Sequence, residues 1–147
     1  MKKLRMFSPV LLRIGVSLVF LWFGTNQLSD PTNWVAYVPQ SIVDISHVSV
    51  TVIVYLNGIF EIVAGAALLL GIFTRTAALL LALHILDITL IVGLDATGVR
   101  DFGISIATVC VWLNGMDWLS LDRYMRRGPF ALPQMVIPPV IDESSRA

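Results

Sequence analysis

Two long apolar runs, separated by only a Thr-Arg pair, constrain the fold of this chain most strongly. Residues 50–73 and residues 76–94 are each about 20 residues long, enough for a helix to cross ~30 Å of hydrocarbon. The short connection makes the two helices antiparallel neighbours. Each run also contains a carboxylate, and a charge at bilayer depth costs at least ~2.5–3.5 kcal/mol. These carboxylates are therefore predicted to face a protein interior or a water-filled cavity.

The composition excludes several classes of protein. Of 147 residues, 56% are hydrophobic and 14% are charged, whereas soluble domains carry roughly 25% charged residues. The formal net charge is zero, which argues against a nucleic-acid partner. The single cysteine, Cys110, excludes an intramolecular disulfide, a CxxC pair and a cysteine metal cluster. Redox chemistry would therefore need a bound cofactor or the thiols of a partner.

Two further apolar runs, at about 9–28 and 102–121, complete an all-α fold. The first follows a basic start, but it is long and lacks a small-x-small cleavage site, so we interpret it as a retained helix. The sequence predicts one four-helix transmembrane domain over residues 1–122. Residues 123–147 form a Pro-rich tail, predicted to be cytoplasmic.

Residues 29–49, between the first two predicted spans, are mixed in polarity and contain no Lys or Arg. Apolar residues recur there at helical spacing, with Pro39 interrupting the pattern. This indicates a short kinked segment in the membrane interface, with Trp34 and Tyr37 as headgroup anchors.

The basic residues near the span ends set the predicted orientation. Only Arg100 falls on one side of the membrane in this topology. Because cytoplasmic loops are enriched in Lys and Arg, both termini and the turn at 74–75 are predicted to be cytoplasmic. The residues on that side are Lys2, Lys3, Arg5, Arg75, Arg123, Arg126 and Arg127.

Four polar side chains in the central hairpin are predicted to match in depth. At ~1.5 Å per residue, Glu61 and His84 lie at similar depths in their antiparallel helices. Asn57 and Asp87 match each other nearer the outer surface. Each helix presents its pair on one face, since the spacings are i,i+4 and i,i+3. The long side chain of Arg13, on the first span, could reach Glu61.

Such a cluster suits proton transfer or the binding of a quinone head group. In this interpretation Glu61 or Asp87 accepts a proton, His84 donates a hydrogen bond to a quinone carbonyl, and Arg13 stabilises the charge of Glu61. Asn57 would complete the binding site. The alternative is that these groups only join the helices by hydrogen bonds. A metal site is not predicted, although one His and two acids could supply ligands.

Three stretches resemble the DoxX-like (DoxX/DoxD) family of integral membrane proteins. They are LLRIGVSLVFLWFG in the first span, NGIFEIVAGAALLLGIFTRTAALLLAL in the central hairpin, and the closing NGMDWLSLD. The resemblance covers about residues 9–122. It implies a four-helix membrane protein with Arg13, Glu61 and Arg75 at family-type polar positions. Two residues depart from the pattern: Gln27 replaces a common Lys, and Asp117 replaces a Gly.

The resemblance also implies functions. Some DoxX-like proteins are subunits of a thiosulfate:quinone oxidoreductase, and others assemble with thiol-oxidoreductase partners. The first hypothesis is therefore a multi-pass subunit in a prokaryotic plasma (inner) membrane. It would bind quinone or handle protons, and would need a redox partner for any quinone-linked oxidoreductase activity. The second is a non-catalytic scaffold for partner proteins or a homo-oligomer, and the third is a small-molecule or lipid permeation subunit.

Overall fold

The computed structural model describes residues 6–93 and 95–126, and these residues form helices and turns without a strand. Lys2, Lys3 and Arg5, and most of the Pro-rich tail, lie outside the described residues. The elements in chain order are α1 (Phe7–Ser29), a 3₁₀ helix (Pro31–Tyr37), α2 (Gln40–Ser46), α3 (Val50–Leu70), α4 (Thr74–Val92), α5 (Ala96–Asn114) and α6 (Leu121–Arg126).

Helices α1, α3, α4 and α5 are each long and apolar enough to cross a membrane. The predicted all-α, four-helix transmembrane bundle is therefore confirmed. The direction in which the bundle crosses the membrane, with cytoplasmic termini, stays a prediction.

The predicted fourth span was displaced along the chain. It was placed at residues 102–121, but α5 runs from Ala96 to Asn114. The side chain of Asp95 caps the new helix by accepting a 2.7 Å hydrogen bond from the Gly98 amide. The helix ends where Gly115 adopts a left-handed φ of 67°. Arg100 and Asp101, which precede the predicted span, therefore lie inside the first turns of α5.

Residues 29–49 do form a short broken segment. The 3₁₀ helix and α2 are separated at Val38 and Pro39, whose extended backbone interrupts the helical path. The ring of Trp34 packs against Phe23 of α1 with centroids 5.8 Å apart, and its role as a headgroup anchor stays a prediction. The segment is therefore folded back over the bundle.

The four long helices form two closely packed pairs, α1 with α3 and α4 with α5. Glycines explain the first pair, since a Cβ at Gly24 would lie 2.6 Å from the carbonyl oxygen of Gly58. Contact between the pairs is looser. Where they meet, the core contains fully buried Phe20, Leu68 and Leu81.

The two ends of the bundle differ, and we name them by the short helix each carries. The α6 end contains α6, the turn at residues 71–73 and the start of α1. The α2 end contains the 3₁₀ helix and α2. At the α6 end, the turn between α3 and α4 passes through Gly71, whose φ is 72° and where a Cβ would lie 2.6 Å from the Ser120 backbone.

Candidate functional site

A cavity of about 460 Å³ lies at the α2 end, between the two helix pairs and beneath the 3₁₀ helix. All four long helices contribute to it. Its walls are largely apolar and aromatic, and include Trp22, Phe23 and Trp34. A concave, mostly apolar space with a few polar groups is the usual form of a small-molecule site.

Glu61 forms the floor of this cavity. The residue is 1% exposed, and its carboxylate lies among polar side chains from three helices. Gln27 of α1 donates a 2.9 Å hydrogen bond to Oε2, and Asn57 of α3 donates a 3.3 Å hydrogen bond to Oε1. The His84 Nε2 atom of α4 lies 3.2 Å from Oε1. The predicted pairing of Glu61 with His84 is confirmed.

Close packing of α1 on α3 places the amides of the floor. Gln27 lies one turn beyond Gly24, and a Cβ added at Gly58 would lie 3.0 Å from its Cβ. Asn57 donates a 2.7 Å hydrogen bond to Gln27 Oε1 as well as its bond to Glu61. The two amides therefore form one network with the carboxylate.

His84 links the floor to the open space of the cavity. Its side chain is 20% exposed, whereas that of Glu61 is 1% exposed. The ring also contacts Phe60 edge-on, with centroids 5.0 Å apart. His84 therefore touches both the buried carboxylate of Glu61 and the cavity.

Asp87 lines the same cavity one turn further along α4 and is exposed. The predicted pairing of Asp87 with Asn57 is wrong, because the amide of Asn57 is directed towards Gln27 and Glu61 instead. Within residues 6–93 and 95–126, no hydrogen bond or ion pair engages the Asp87 carboxylate. The cavity therefore has two carboxylates in different states of engagement.

Arg13 lies at the α6 end and does not line the cavity. The expected reach to Glu61 is wrong, because nearer partners take every nitrogen of the guanidinium. Its Nε donates to Asp117 at 2.6 Å and a terminal nitrogen donates to the same carboxylate at 3.4 Å. The other terminal nitrogen donates to the carbonyl oxygens of Leu68, at 2.8 Å, and Leu69. Arg13 thus satisfies the last carbonyls of α3.

The α6 end is fastened by a second carboxylate. Asp122 accepts hydrogen bonds from the amides of Phe73 and Thr74, at 2.9 and 2.7 Å, and from the Thr74 hydroxyl at 2.9 Å. It therefore caps α4, although 48 residues separate it from Thr74. Arg75 packs against Gly115, where a Cβ would lie 2.6 Å from its Nε atom.

Arg100 and Asp101 form the rim of the cavity on α5. Arg100 Nε donates to Asp101 Oδ1 at 2.8 Å, and its guanidinium carbon lies 5.1 Å from the centroid of the Phe23 ring. The side chain of Arg100 is 51% exposed, while that of Asp101 is 4% exposed. The rim thus carries a cation whose nearest carboxylate is already its partner.

Comparison with known proteins identifies the family. A model of the DoxX family matches residues 8–94, which is more than half of the chain. The chain belongs to the DoxX family. No curated protein and no solved structure matches it. The DoxX match includes the whole floor of the cavity, whereas the rim and Asp117 lie beyond it.

Sequence reasoning missed Gln27 as a site residue of this DoxX protein. It was interpreted only as the loss of a Lys, yet it is 2% exposed and bonded to Glu61. Its spacing from Gly24 was the available signal. Residues i and i+3 share a helix face, so the residue one turn from a packing glycine also faces the neighbouring helix.

Asp101 was missed because the predicted fourth span begins one residue after it, at residue 102, whereas α5 begins at Ala96. Asp101 is 3% exposed and begins a buried polar stripe with Ser105 and Thr108. That i, i+4, i+7 spacing is typical of one helix face and was present in the sequence. Within the described part of the chain, no group of three or more His, Cys, Asp or Glu side chains could hold a metal ion.

Proposed function

We propose that this DoxX protein is a membrane subunit of a redox system that binds a quinone in the α2-end cavity. The observation that supports this proposal is the ionisable pair Glu61–His84 at the floor of an aromatic-walled cavity. A ligand held by such a site has an apolar body and a polar edge. A quinone head group has both.

The dimensions and lining of the cavity favour a ligand of this class. Its volume of about 460 Å³ falls among small-molecule sites, which span roughly 300–1,000 Å³. Trp34 and Phe23 supply aromatic surface, and Ile88 supplies aliphatic surface. Polar side chains lie at the floor and along α4, so the polar edge of a flat ring would be directed there.

Interconversion of a quinone and a quinol exchanges two electrons and two protons. The electrons would be exchanged with a redox-active partner protein, because one cysteine provides no dithiol. Protons are what this chain can supply. His84 contacts both Glu61 and the cavity, so it can move a proton between the buried carboxylate and a bound ligand. Gln27 and Asn57 hold the Glu61 carboxylate in position through their hydrogen bonds.

The test is lipid extraction and mass spectrometry of the protein purified in mild detergent. Wild type is compared with Glu61→Gln, which keeps the shape of the side chain but replaces its ionisable carboxyl group with a neutral amide. We expect wild type to retain quinone near stoichiometry and the variant to lose it. The matched control is Asp44→Asn, an equivalent change on exposed α2 that does not line the cavity.

Retention by both variants would place the quinone elsewhere on the protein. A third outcome is that wild type retains no quinone, while wild type and Glu61→Gln both purify with the same partner protein. The polar side chains of the floor would then have only a structural role. The scaffold function would then replace the redox function.

A further inference from the structure

The amides of the cavity floor have little donor capacity left for a ligand. Asn57 Nδ2 carries two hydrogens and donates to Gln27 Oε1 at 2.7 Å and to Glu61 Oε1 at 3.3 Å. Gln27 Nε2 donates to Glu61 Oε2 at 2.9 Å. The carboxylate fixes the orientation of both amides, since an acceptor-only group must face their N–H side.

His84 lines the cavity and has a second ring nitrogen, Nδ1, besides the one that pairs with Glu61. Its Nε2 atom lies 3.2 Å from Glu61 Oε1, and an ionised carboxylate can only accept. When that carboxylate is ionised, Nε2 of a neutral imidazole carries the hydrogen and Nδ1 is an acceptor. The pairing with Glu61 thus uses the donor of the ring.

Asp87 adds a second acceptor beside His84. Its carboxylate lines the cavity and is exposed, and none of the residues in the described ranges donates to it. A carboxylate is acceptor-only when ionised. Two neighbouring groups on α4 can therefore accept hydrogen bonds from a ligand in the cavity.

The charges of the cavity act in the same direction. Glu61, Asp87 and Asp101 line it, and Arg100 is the cation of the same lining, already bonded to Asp101. Arg100 keeps further N–H donors, but it lies at the exposed rim rather than on the floor. An excess of carboxylates opposes an electron-rich, acceptor-only edge and favours a ligand with polarised hydrogens.

We infer that the cavity selects the reduced, hydroxyl-bearing form of its ligand, a hydroquinone, over the quinone. This inference rests on the proposed function, and it specifies the form of ligand bound. The two hydroxyl groups of a hydroquinone donate, and the acceptors of Asp87 and His84 receive. The carbonyl groups of a quinone only accept, so they find no donor at Asp87 and His84; the donors Tyr37, Thr97 and Arg100 of the same lining lie on the 3₁₀ helix and on α5.

The test is anaerobic isothermal titration calorimetry on the full chain in detergent. Three probes are compared: a decyl-substituted benzoquinone, its hydroquinone, and the dimethyl ether of that hydroquinone. The hydroquinone can donate hydrogen bonds to Asp87 and His84, and the other two probes cannot. We therefore expect the hydroquinone to bind at least about tenfold more tightly than either of them.

Asp87→Asn gives the second measurement. An amide offers donors as well as an acceptor, so the preference for hydroquinone over quinone falls by about tenfold in this variant. Because Asp87 is exposed, this variant is expected to fold as the wild type does. Asp44→Asn, outside the cavity, is the matched control and keeps the wild-type preference.

The outcomes separate the inference from the function on which it rests. Quinone binding as tight as hydroquinone binding overturns the inference but leaves the proposed quinone site in place. Equal affinity for the dimethyl ether also overturns it, because recognition would then depend on shape. If none of the probes binds, the proposed function fails and the inference fails with it.

Discussion

Arg13 at the α6 end and Glu61 at the α2 end are both 1% exposed, but their surroundings differ. Arg13 has a carboxylate and two backbone carbonyls around its guanidinium, and it does not line the α2-end cavity. Glu61 is bonded to neutral amides and to His84, which is partly exposed, and it lines a cavity.

This difference separates structural from ligand-binding charges. At the α6 end, Arg13, Asp117 and Asp122 use their hydrogen-bonding capacity within the protein. At the α2 end, Asp87 and His84 retain capacity that a ligand can use. A buried charge in a DoxX protein is therefore not in itself evidence of a binding site; unused capacity next to a cavity is stronger evidence.

The largest effect on stability is expected from Arg13→Met. The change leaves Asp117 buried without its cation, and losing one partner of a buried ion pair costs about 3–5 kcal/mol. We expect a much lower midpoint of thermal unfolding in detergent, with poor recovery of folded protein. Adding Asp117→Asn removes the orphaned charge, so the double variant should regain much of the loss. A single variant as stable as wild type would contradict a structural role for Arg13.

A smaller effect is expected from Asp122→Ala, which removes the cap of α4. Loss of a capping side chain typically costs about 0.5–2 kcal/mol. Thermal unfolding of Asp44→Ala, on exposed α2, provides the comparison, and surface changes usually fall within about 0.5 kcal/mol. Equal midpoints for the two variants would mean that α6 does not hold α4 in solution.

The smallest effect on stability is expected from Asp87→Asn at the α2 end. No described partner is lost, so the free energy of unfolding should change by no more than about 0.5 kcal/mol. The same variant is expected to alter ligand preference. Thermal unfolding without ligand checks this point, and a loss comparable to that of Asp122→Ala would place Asp87 among the structural charges.

The pairing of Glu61 with His84 was predictable because one short turn joins their helices. In such a hairpin, residue counting from the turn gives matching depths directly. The same counting gave a wrong partner for Asn57, because a side chain can form hydrogen bonds with any of the helices packed around it. Gln27, on α1, competes for its amide, and the counting considered only α3 and α4.

The partners of Arg13 were less accessible to sequence reasoning. Asp117 was counted within the last apolar span, whereas the helix ends at Asn114 and Gly115 turns the chain back. Hydropathy averages a run and does not register a charge neutralised by a distant partner. The same averaging placed the predicted start of this helix at residue 102 instead of Ala96. Hydropathy counts Arg100 and Asp101 as two separate charges, although they form an ion pair.

The ion pair between Arg13 and Asp117 also has a consequence for biogenesis. The two residues are 104 positions apart, so the ribosome delivers the cation long before its counter-ion. The carbonyl of Leu68 becomes available 55 residues after Arg13, and it can hold the guanidinium in the interim. Only the connection between α5 and α6, which carries Asp117, completes the surroundings of Arg13 on the first helix. The order of synthesis therefore leaves this buried cation without its counter-ion until all four long helices have been made.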